Sequence, residues 1–313
     1  MMEHVSVMLE QCIDALAIRE DGIYVDGTLG RGGHASAIAR RLKSGKLYCF
    51  DLDASAIAES DVLLSQTGAD YELIQSNFIF MKDELHKRGV GSVDGILLDL
   101  GVSSPQFDDP SRGFSYRYDS RLDMRMDQSQ ALDAWQIVNN YSFQDLVRIL
   151  RDYGEEKFAV QIARRIEQAR AEKPVDTTGE LVDIIRQALP AKVLSKKGHP
   201  AKQTFQALRI EVNHELDNLR AVIDQGLQLL KPQGRMAIIT FHSLEDEIVK
   251  KAFRTACQNQ QVDKRIPLKE SEIRQAEYQL VNKKVITADK DELENNHRSH
   301  SAKLRVIERR TRQ

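Results

Sequence analysis

The sequence predicts an α/β protein in which helices cover a parallel sheet and an all-helical segment interrupts it. In the first hundred residues, short β-branched runs alternate with longer amphipathic stretches, the pattern of strand–helix–strand units. After Asp99 no strand-like run appears for more than a hundred residues, although helical periodicity continues. A strand pattern returns at Met236, so the sheet is expected to be built from both ends of the chain.

The first part of the chain alternates expected strands and helices. The strands are residues 23–25, 46–50, 71–75 and 95–98, and the helices between them are residues 35–42, 54–64 and 81–87. Gly89 ends the last of these helices. Because crossovers between parallel strands are right-handed, this order predicts a doubly wound sheet.

The middle of the chain shows only helical spacing of its apolar residues, with Gly154, Pro174 and Pro190 as stop signals. A long helix is expected from residue 204 to 227, ending at the Pro232-Gln233-Gly234 turn. Strand 236–241, helix 243–257 and strand 303–307 complete the sheet. We therefore predict two sheet-forming parts, residues 1–108 and 210–313, and an inserted helical domain, residues 109–209.

Composition limits the class of protein. The 313 residues contain no apolar stretch that could span a bilayer and no secretory leader, so a cytoplasmic protein without membrane attachment is expected. The three cysteines, Cys12, Cys49 and Cys257, are odd in number and far apart. They indicate neither a disulfide framework nor a zinc site, and no metal is expected.

Positive charge is concentrated in two segments, although the net charge of the chain is only −2. Residues 184–210 contain no Asp or Glu and hold the cations Arg186, Lys192, Lys196, Lys197, Lys202 and Arg209. The tail from residue 298 adds further Lys and Arg against one acid, Glu308. Each segment is either a solvated face or a nucleic-acid contact, and charge alone does not separate the two.

A glycine-rich loop, residues 26–34, joins the first strand to its helix, where a parallel sheet opens for a ligand. Asp26 ends the strand and is suited to a cationic amino group, while Asp51 ends the second strand and is suited to ribose hydroxyls. The loop also fits the loose dinucleotide pattern, so alone it does not distinguish nicotinamide from S-adenosylmethionine. Phe78, just past the third strand, is either an adenine contact or a core residue.

The fourth strand ends in Asp99 and leads to Ser104-Pro105-Gln106-Phe107, which is similar to the polar-Pro-x-aromatic motif of amino-methyltransferases. The alternative is an ordinary loop. The chemistry explains these residue types, because the lone pair of a cytosine amino group is delocalised into the ring. A site for it must accept its hydrogens, stack the base and align nitrogen with methyl and sulfur.

Two further segments carry polar side chains. Residues 112–127 interleave Phe114, Tyr116 and Tyr118 with arginines, a mixture that suits stacking on single-stranded bases but also fits a salt-bridged loop. After the fifth strand, Ser243 and Asp246 are expected to cap the next helix. His242 either faces the cleft or has a structural role.

Six blocks of the sequence together resemble the MraW family, also called RsmH: residues 4–9, 26–34, 95–106, 112–127, 199–216 and 241–250. The most specific are Asp-Gly-Thr-x-Gly-x-Gly-Gly-His, Asp-Leu-Gly-Val-Ser-Ser-Pro-Gln and Phe-His-Ser-Leu-Glu-Asp. The resemblance implies a Rossmann-like class I S-adenosylmethionine methyltransferase with an inserted helical domain for RNA recognition. It implies methylation of the N4 amine of a decoding-site cytosine in 16S ribosomal RNA of the small ribosomal subunit.

The resemblance also implies roles for single residues. Contacts to S-adenosylmethionine would come from Gly32, Gly33, His34, Asp51, Phe78, Asp99 and Gln106. The catalytic positions would be Asp99, Ser104 and Phe107. Two positions depart from the family pattern: Gln11 stands where an acid is frequent, and Gln203 where Arg is frequent. The second departure weakens any assignment of that turn to phosphate binding.

Two other classes of protein share part of this pattern. A nicotinamide-dependent dehydrogenase would have the glycine loop and Asp51, but it gives no reason for a basic helical insertion or for the Ser-Pro-Gln-Phe segment. A non-catalytic RNA-binding assembly factor would keep the basic segments without affinity for S-adenosylmethionine. Binding of S-adenosylmethionine and of NAD separates all three classes.

Overall fold

The computed structural model describes residues 6–101, 107, 109–259 and 275–311 of the chain. It divides into two compact units, which we call the sheet unit (Met1–Gly101 with Leu216–Gln313) and the helical unit (Val102–Glu215). No helix among the described residues is long and apolar enough to cross a membrane.

The sheet unit has the α/β architecture that the sequence predicts, but its sheet is mixed and has seven strands among the described residues, whereas the pattern predicts six. Its strands are β1 (Ile23–Asp26), β2 (Lys46–Asp51), β3 (Asp70–Gln75), β4 (Val93–Asp99), β5 (Leu230–Thr240), β6 (Tyr278–Leu280) and β7 (Lys303–Arg309). Their order is β3-β2-β1-β4-β5-β7-β6. Strands β1 to β5 are parallel, whereas β7 pairs antiparallel with β5 and with β6. The strand order reverses beside β1, where a doubly wound sheet opens for a ligand.

Helices cover both faces of this sheet. They are α1 (Leu9–Leu16), α2 (Gly33–Ala39), α3 (Ala54–Leu64), α4 (Met81–Lys87), α11 (Glu215–Leu229), α12 (Ser243–Ala256) and α13 (Lys290–Asn295), of which α11 begins at the boundary with the helical unit. Alternate residues of β2 point to opposite faces of the sheet and belong to different apolar cores. Leu47 and Cys49 pack with α1 and α2, whereas Tyr48 and Phe50 pack with α4 and α11. The strands are buried on both faces, which explains their nearly continuous apolar runs.

The helical unit contains α5 (Ala134–Asn140), α6 (Phe143–Asp152), α7 (Ala159–Glu172), α8 (Thr178–Ala188), α9 (Ala191–Leu194) and α10 (Lys202–Asn213). Side-chain oxygens at the helix starts explain the boundaries, because they accept backbone N–H groups that a first turn leaves unpaired. Ser142 caps α6, and Thr177 with Glu180 forms a capping box at α8. One apolar core lies among these helices and includes Ile149, Ile162 and Ile185.

The structure corrects two expectations about the second half of the chain and adds elements that the sequence pattern does not predict. The single helix predicted for residues 204–227 is two helices, because His214 adopts a left-handed conformation with φ of 52° and ends α10. The expected Pro232-Gln233-Gly234 stop lies within β5, as an irregularity where Val93 pairs with Leu230 and Gly95 pairs with Arg235. Helix α1 and the three-residue strand β6 are two such elements.

Candidate functional site

The carboxyl ends of β2, β1 and β4 lie side by side in the sheet, and each ends in an aspartate: Asp51, Asp26 and Asp99. Adjacent parallel strands place their last residues at one edge, so the three carboxylates lie at the same edge of the sheet, and their joint role in one site stays a prediction. Hydrogen bonds of the glycine loop connect the three.

Asp26 is 1% exposed and forms the base of this arrangement. Its Oδ1 accepts the backbone N–H of Thr28 at 3.0 Å. Its Oδ2 is buried and has no hydrogen-bond partner among the described residues. Burial raises the pKa of Asp26 to about 7, and the nearby Asp51 contributes in the same direction. An unpaired buried oxygen of this kind is costly unless a ligand supplies a donor.

Asp51 shapes the glycine loop from the neighbouring strand. Its Oδ2 accepts the N–H of Gly30 at 2.8 Å, and its Oδ1 accepts the N–H of Asp53 at 2.9 Å. Burial raises the pKa of this carboxyl. Each oxygen has a second lone pair, so Asp51 retains the capacity to accept ribose hydroxyls while it holds the loop.

The space beside the loop opens at Gly30. A Cβ atom built there has no neighbour closer than the Thr28 carbonyl at 4.0 Å, and the residue has φ of +51°, which favours glycine. Gly32 and Gly33 differ, since a Cβ atom would lie 3.0 Å from Ser60 and 1.9 Å from Ser6. A side chain at either position would press on a neighbouring serine, so packing within the protein favours glycine there, whatever the two residues contact in a ligand.

Asp99 ends β4, which lies on the opposite side of β1 from β2, and Thr28 links Asp99 to the glycine loop. The N–H of Asp99 donates to Thr28 Oγ1 at 2.6 Å. Its Oδ1 is buried without a hydrogen-bond partner in the described part of the chain. Burial, with repulsion from Asp26 and Glu245, raises the pKa of Asp99 to about 8. Near neutral pH this carboxyl is therefore largely protonated in the absence of a cation.

His34 is buried beside Asp99 and is held in one tautomer. Its Nε2 lies 3.0 Å from the carbonyl oxygen of Val7, which can only accept, so Nε2 carries the proton. Nδ1 lies 3.7 Å from Asp99 Oδ2. Burial lowers the pKa of His34 to about 4, so the ring is neutral at physiological pH. Together, the structure brings His34, Asp51 and Asp99 to one edge of the sheet, with Asp26 between them.

The other predicted contact residues either pack against a core or lie outside the described residues. Phe78 begins a short 3-10 turn after β3, is half-buried and packs against the core shared with α4, which favours the core interpretation. Phe107 packs against the core of the helical unit. Ser104 and Gln106 lie outside the described residues.

Two residues of the site were missed by sequence reasoning. Thr28 lies inside the recognised loop, but its link to Asp99 requires the sheet to be folded. Glu245 is 2% exposed and accepts the N–H groups of Phe241 and His242 at 2.8 and 3.3 Å. Glu245 therefore satisfies backbone donors at the start of α12, so the prediction that Ser243 and Asp246 form the cap is wrong.

The aromatic and basic segment of the helical unit is largely internal. Arg112 donates to the carbonyls of Arg125 and Met126, Arg121 pairs with Asp133 at 2.7 Å, and Arg125 pairs with Asp123 at 2.7 Å. The salt-bridged interpretation thus applies to Arg121 and Arg125, while Arg112 is held by backbone carbonyls. Tyr116 stacks on His199 with ring centroids 4.2 Å apart, whereas Tyr118 is 50% exposed. Tyr118 is the aromatic side chain of this segment that is available for a ligand.

The basic run at residues 184–210 divides in the same way. Arg186 lies 4.0 Å from Asp183, and Arg209 pairs with Glu215 at 2.7 Å. Within this run, four lysines are exposed and have no ion-pair partner among the described residues: Lys192, Lys196, Lys197 and Lys202. These lysines, and not the whole run, form the free positive surface.

Comparisons of the sequence with a family model and with named relatives agree with each other. The model of the MraW methylase family matches residues 1–310. The chain is 50% identical over 309 residues to a protein of Exiguobacterium sibiricum named ribosomal RNA small subunit methyltransferase H, covering 99% of both chains. A protein of the same name from Limosilactobacillus fermentum is 50% identical over 308 residues, covering 98% of both.

Solved structures are similar over the full length at lower identity. A ribosomal RNA methylase from Streptococcus thermophilus is 12% identical with a TM-score of 0.44, covering 99% of this chain and 100% of that one. A putative methyltransferase from Streptococcus mutans, solved in complex with SAH, is 13% identical with a TM-score of 0.41, covering 98% of this chain and 99% of that one. At these scores the likeness carries no argument about the site.

Proposed function

Because the chain belongs to the MraW methylase family, we propose that it uses S-adenosylmethionine to methylate the N4 amine of a decoding-site cytosine in 16S ribosomal RNA of the small ribosomal subunit. The observation that carries the choice of cofactor is the pair of buried, unpartnered carboxylate oxygens of Asp26 and Asp99. The names of the half-identical relatives support the ribosomal RNA substrate. Because this substrate is part of the ribosome, we expect the protein to act in the cytoplasm.

The residues present fit S-adenosylmethionine. Two carboxylates that each have a buried, unpartnered oxygen favour a ligand that carries positive charge, and its amino group would supply the missing donor to Asp26 Oδ2. Asp51 is suited to the ribose hydroxyls, and the open side of Gly30 leaves room for a ligand against the backbone. The remaining contacts proposed from the resemblance are Gly32, Gly33, His34, Phe78 and Gln106.

The buried carboxylate of Asp26 argues against a nicotinamide dinucleotide as the cofactor. The diphosphate of NAD is anionic, and in dinucleotide-binding folds it lies against the glycine loop. Asp26 directly precedes this loop, and its pKa is already raised by burial and by Asp51. A second anion there would meet an uncompensated carboxylate, which is unfavourable at low dielectric.

When bound, S-adenosylmethionine supplies a methyl group on a sulfonium, which needs little further activation. The work left to the protein is alignment, because the cytosine amino group is a weak nucleophile. Asp99 ends the strand next to the loop and would position the cofactor and the arriving base. No strong base is required, since a methylated ammonium-like nitrogen is acidic enough for water or a weak acceptor to take its proton. His34, held neutral and fixed by Val7, orients its unprotonated nitrogen toward Asp99.

Placement of the base is proposed for Ser104 and Phe107, by similarity to the polar-Pro-x-aromatic motif. Recognition of RNA is proposed for the inserted helical domain, residues 109–209. Its free lysines carry this proposal, because phosphate contacts need cations that are not already paired within the protein. Exposed Tyr118 is suited to stacking on an unpaired base.

Calorimetry of S-adenosylmethionine and NAD with the purified chain tests the choice of cofactor. We expect saturable binding of S-adenosylmethionine and none of NAD at the same concentration. Binding of NAD alone would identify a dehydrogenase. Binding of neither, with retained affinity for small ribosomal subunits, would identify a non-catalytic RNA-binding factor.

A further inference from the structure

A basic cavity lies on the sheet unit beside α12 and the β6–β7 edge of the sheet. Its volume is about 250 Å³. Five cationic side chains line it: Lys250, Arg254, Lys283, Lys284 and Arg305. Phe253, Leu280 and Val306 supply its apolar part. The cavity is thus chemically unlike the carboxylate-lined end of β1, β2 and β4, and neither the glycine loop nor the three aspartates contribute to it.

Within the described residues, four of these five cations have no carboxylate partner. Arg305 donates from Nε to Asp246 Oδ1 at 2.7 Å, and Lys303 also pairs with Asp246. Lys250, Arg254, Lys283 and Lys284 have no ion-pair partner among the residues that the structure describes. By contrast, Arg235 and Arg309 on the neighbouring strands β5 and β7 are each paired with a glutamate. Unpaired cations gathered around one concave surface generate a local positive potential.

We propose that this cavity binds the phosphodiester backbone of the RNA substrate, as a second RNA contact separate from the helical unit. The inference rests on the proposed function, because it assigns a site for the same ribosomal RNA. The ligand chemistry follows from the lining, since several unpaired cations favour a polyanion. Leu280 is 36% exposed beside them and gives apolar surface against which a ribose or base can lie. Five cations dominate the lining, beside the single amide of Asn282, and cation–phosphate contacts position a nucleic acid without reading its sequence.

Helix α12 provides a matched set of variants. Lys250 and Arg254 are four residues apart and therefore share one face of the helix, and both line the cavity. Lys251 is also exposed but lies about 100° around the helix from Lys250 and does not line the cavity. Lys250→Glu and Arg254→Glu thus test the cavity, and Lys251→Glu controls for loss of the same charge from the same helix.

The measurement is the equilibrium affinity for isolated small ribosomal subunits across a series of salt concentrations. We expect Lys250→Glu and Arg254→Glu each to weaken binding and to lower the slope of log affinity against log salt by roughly 0.7 to 0.9, the value for one lost phosphate contact. Lys251→Glu should match the unmodified chain. Affinity for S-adenosylmethionine and the melting temperature should be unchanged in all three variants, which excludes a folding defect.

The outcomes separate this inference from the proposed function. If the unmodified chain methylates small subunits while Lys250→Glu and Arg254→Glu behave like Lys251→Glu, the cavity is not an RNA contact and the proposed function stands. If the unmodified chain binds S-adenosylmethionine but neither binds nor methylates small subunits, both the substrate and the cavity contact are wrong.

Discussion

Nδ1 of His34 faces Oδ2 of Asp99 at 3.7 Å, while Val7 holds the opposite nitrogen of the ring. Burial shifts the two groups in opposite directions: it lowers the pKa of His34 to about 4 and, with repulsion from Asp26 and Glu245, raises that of Asp99 to about 8. Near neutral pH both side chains are therefore mostly uncharged in the free protein. A bound cation favours the ionised form of Asp99, so binding is coupled to proton release.

The first prediction is that affinity for S-adenosylmethionine increases from pH 6 to about 7.5. Asp26 and Asp99 have pKa values of about 7 and 8, so both must lose protons on binding a cation in this range. The range stays below the pKa of an α-amino group, about 7.7 to 8.0, so the ligand keeps its charge. Calorimetry in buffers of different ionisation enthalpy measures the protons released. Affinity that does not change with pH would show that neither carboxyl meets the cation.

The second prediction concerns stability of the ligand-free protein. The folded-state pKa of Asp99 lies above its ordinary value, so the native state binds more protons than the unfolded state between about pH 4 and 8. Its contribution to stability is therefore present at low pH and is lost as pH rises toward 8. Asp99→Asn does not titrate, so its melting temperature relative to the unmodified chain should increase from pH 5 to pH 8. The same difference at both pH values would contradict the raised pKa.

The third prediction uses the open side of the glycine loop. Gly30→Ala places a methyl group where the protein leaves space, so it should block the cofactor without a clash inside the fold. Gly68→Ala is the matched control, because Gly68 has φ of +73° and nothing within 4 Å of its added Cβ atom. Both should lose a similar stability, about 1 kcal/mol for a left-handed alanine. Only Gly30→Ala should lose binding of S-adenosylmethionine by calorimetry, and normal binding would place the ligand elsewhere.

The fourth prediction separates cofactor binding from placement of the base. Asp99→Ala should lose both cofactor affinity and turnover, whereas Phe107→Ala should keep affinity near normal and lose methylation. Since Phe107 also packs against the helical core, Phe107→Leu supplies the control: it keeps apolar contact but removes the ring. Single-turnover methylation at saturating cofactor is the measurement. Full activity of Phe107→Leu would assign Phe107 to packing alone.

Ser104→Ala belongs to the same test, because Ser104 precedes Phe107 in the proposed motif. It should reduce methylation at unchanged cofactor affinity. If Ser104→Ala and Phe107→Ala are both fully active, the base is held by other side chains, and Tyr118 is the exposed aromatic residue to substitute next.

The fifth prediction tests the helical unit. Reversing the charge of Lys196 and Lys197 should raise the dissociation constant for ribosomal RNA and flatten its salt dependence, because both lysines are exposed and unpaired within the described structure. Lys157→Glu, at another exposed lysine of the same unit, should have little effect. Retained RNA affinity with lost cofactor binding would reverse the division of roles between the two units.

The sequence predicts the sheet well because each early strand is a compact apolar run with turn signals on both sides. Helices α3 and α4 begin and end where the pattern indicates. The break at His214 was missed because the apolar spacing continues through it, and only the backbone conformation shows the end of α10. The pattern predicts a turn at the irregularity in β5 because Pro232 and Gly234 are turn residues in most settings.

The sequence predicts the charged residues of the candidate site better than it predicts their hydrogen bonds. Because parallel strands end at one edge of a sheet, the sequence alone identifies Asp26, Asp51 and Asp99. The role of Thr28 depends on pairing of β1 with β4, and the tautomer of His34 depends on the carbonyl of Val7, which is distant in sequence. Charge counting also overestimated the free cations, because Arg112, Arg121 and Arg125 satisfy groups within the helical unit.

Transfer of a labelled methyl group tests the proposed activity most directly. The protein is incubated with methyl-labelled S-adenosylmethionine and isolated small ribosomal subunits, the RNA is digested, and the labelled nucleoside is identified. We expect label in a single cytidine, on its N4 amine and within the decoding site, and none with Asp99→Ala. Label on another atom or another RNA, or the absence of transfer despite bound S-adenosylmethionine, would contradict it.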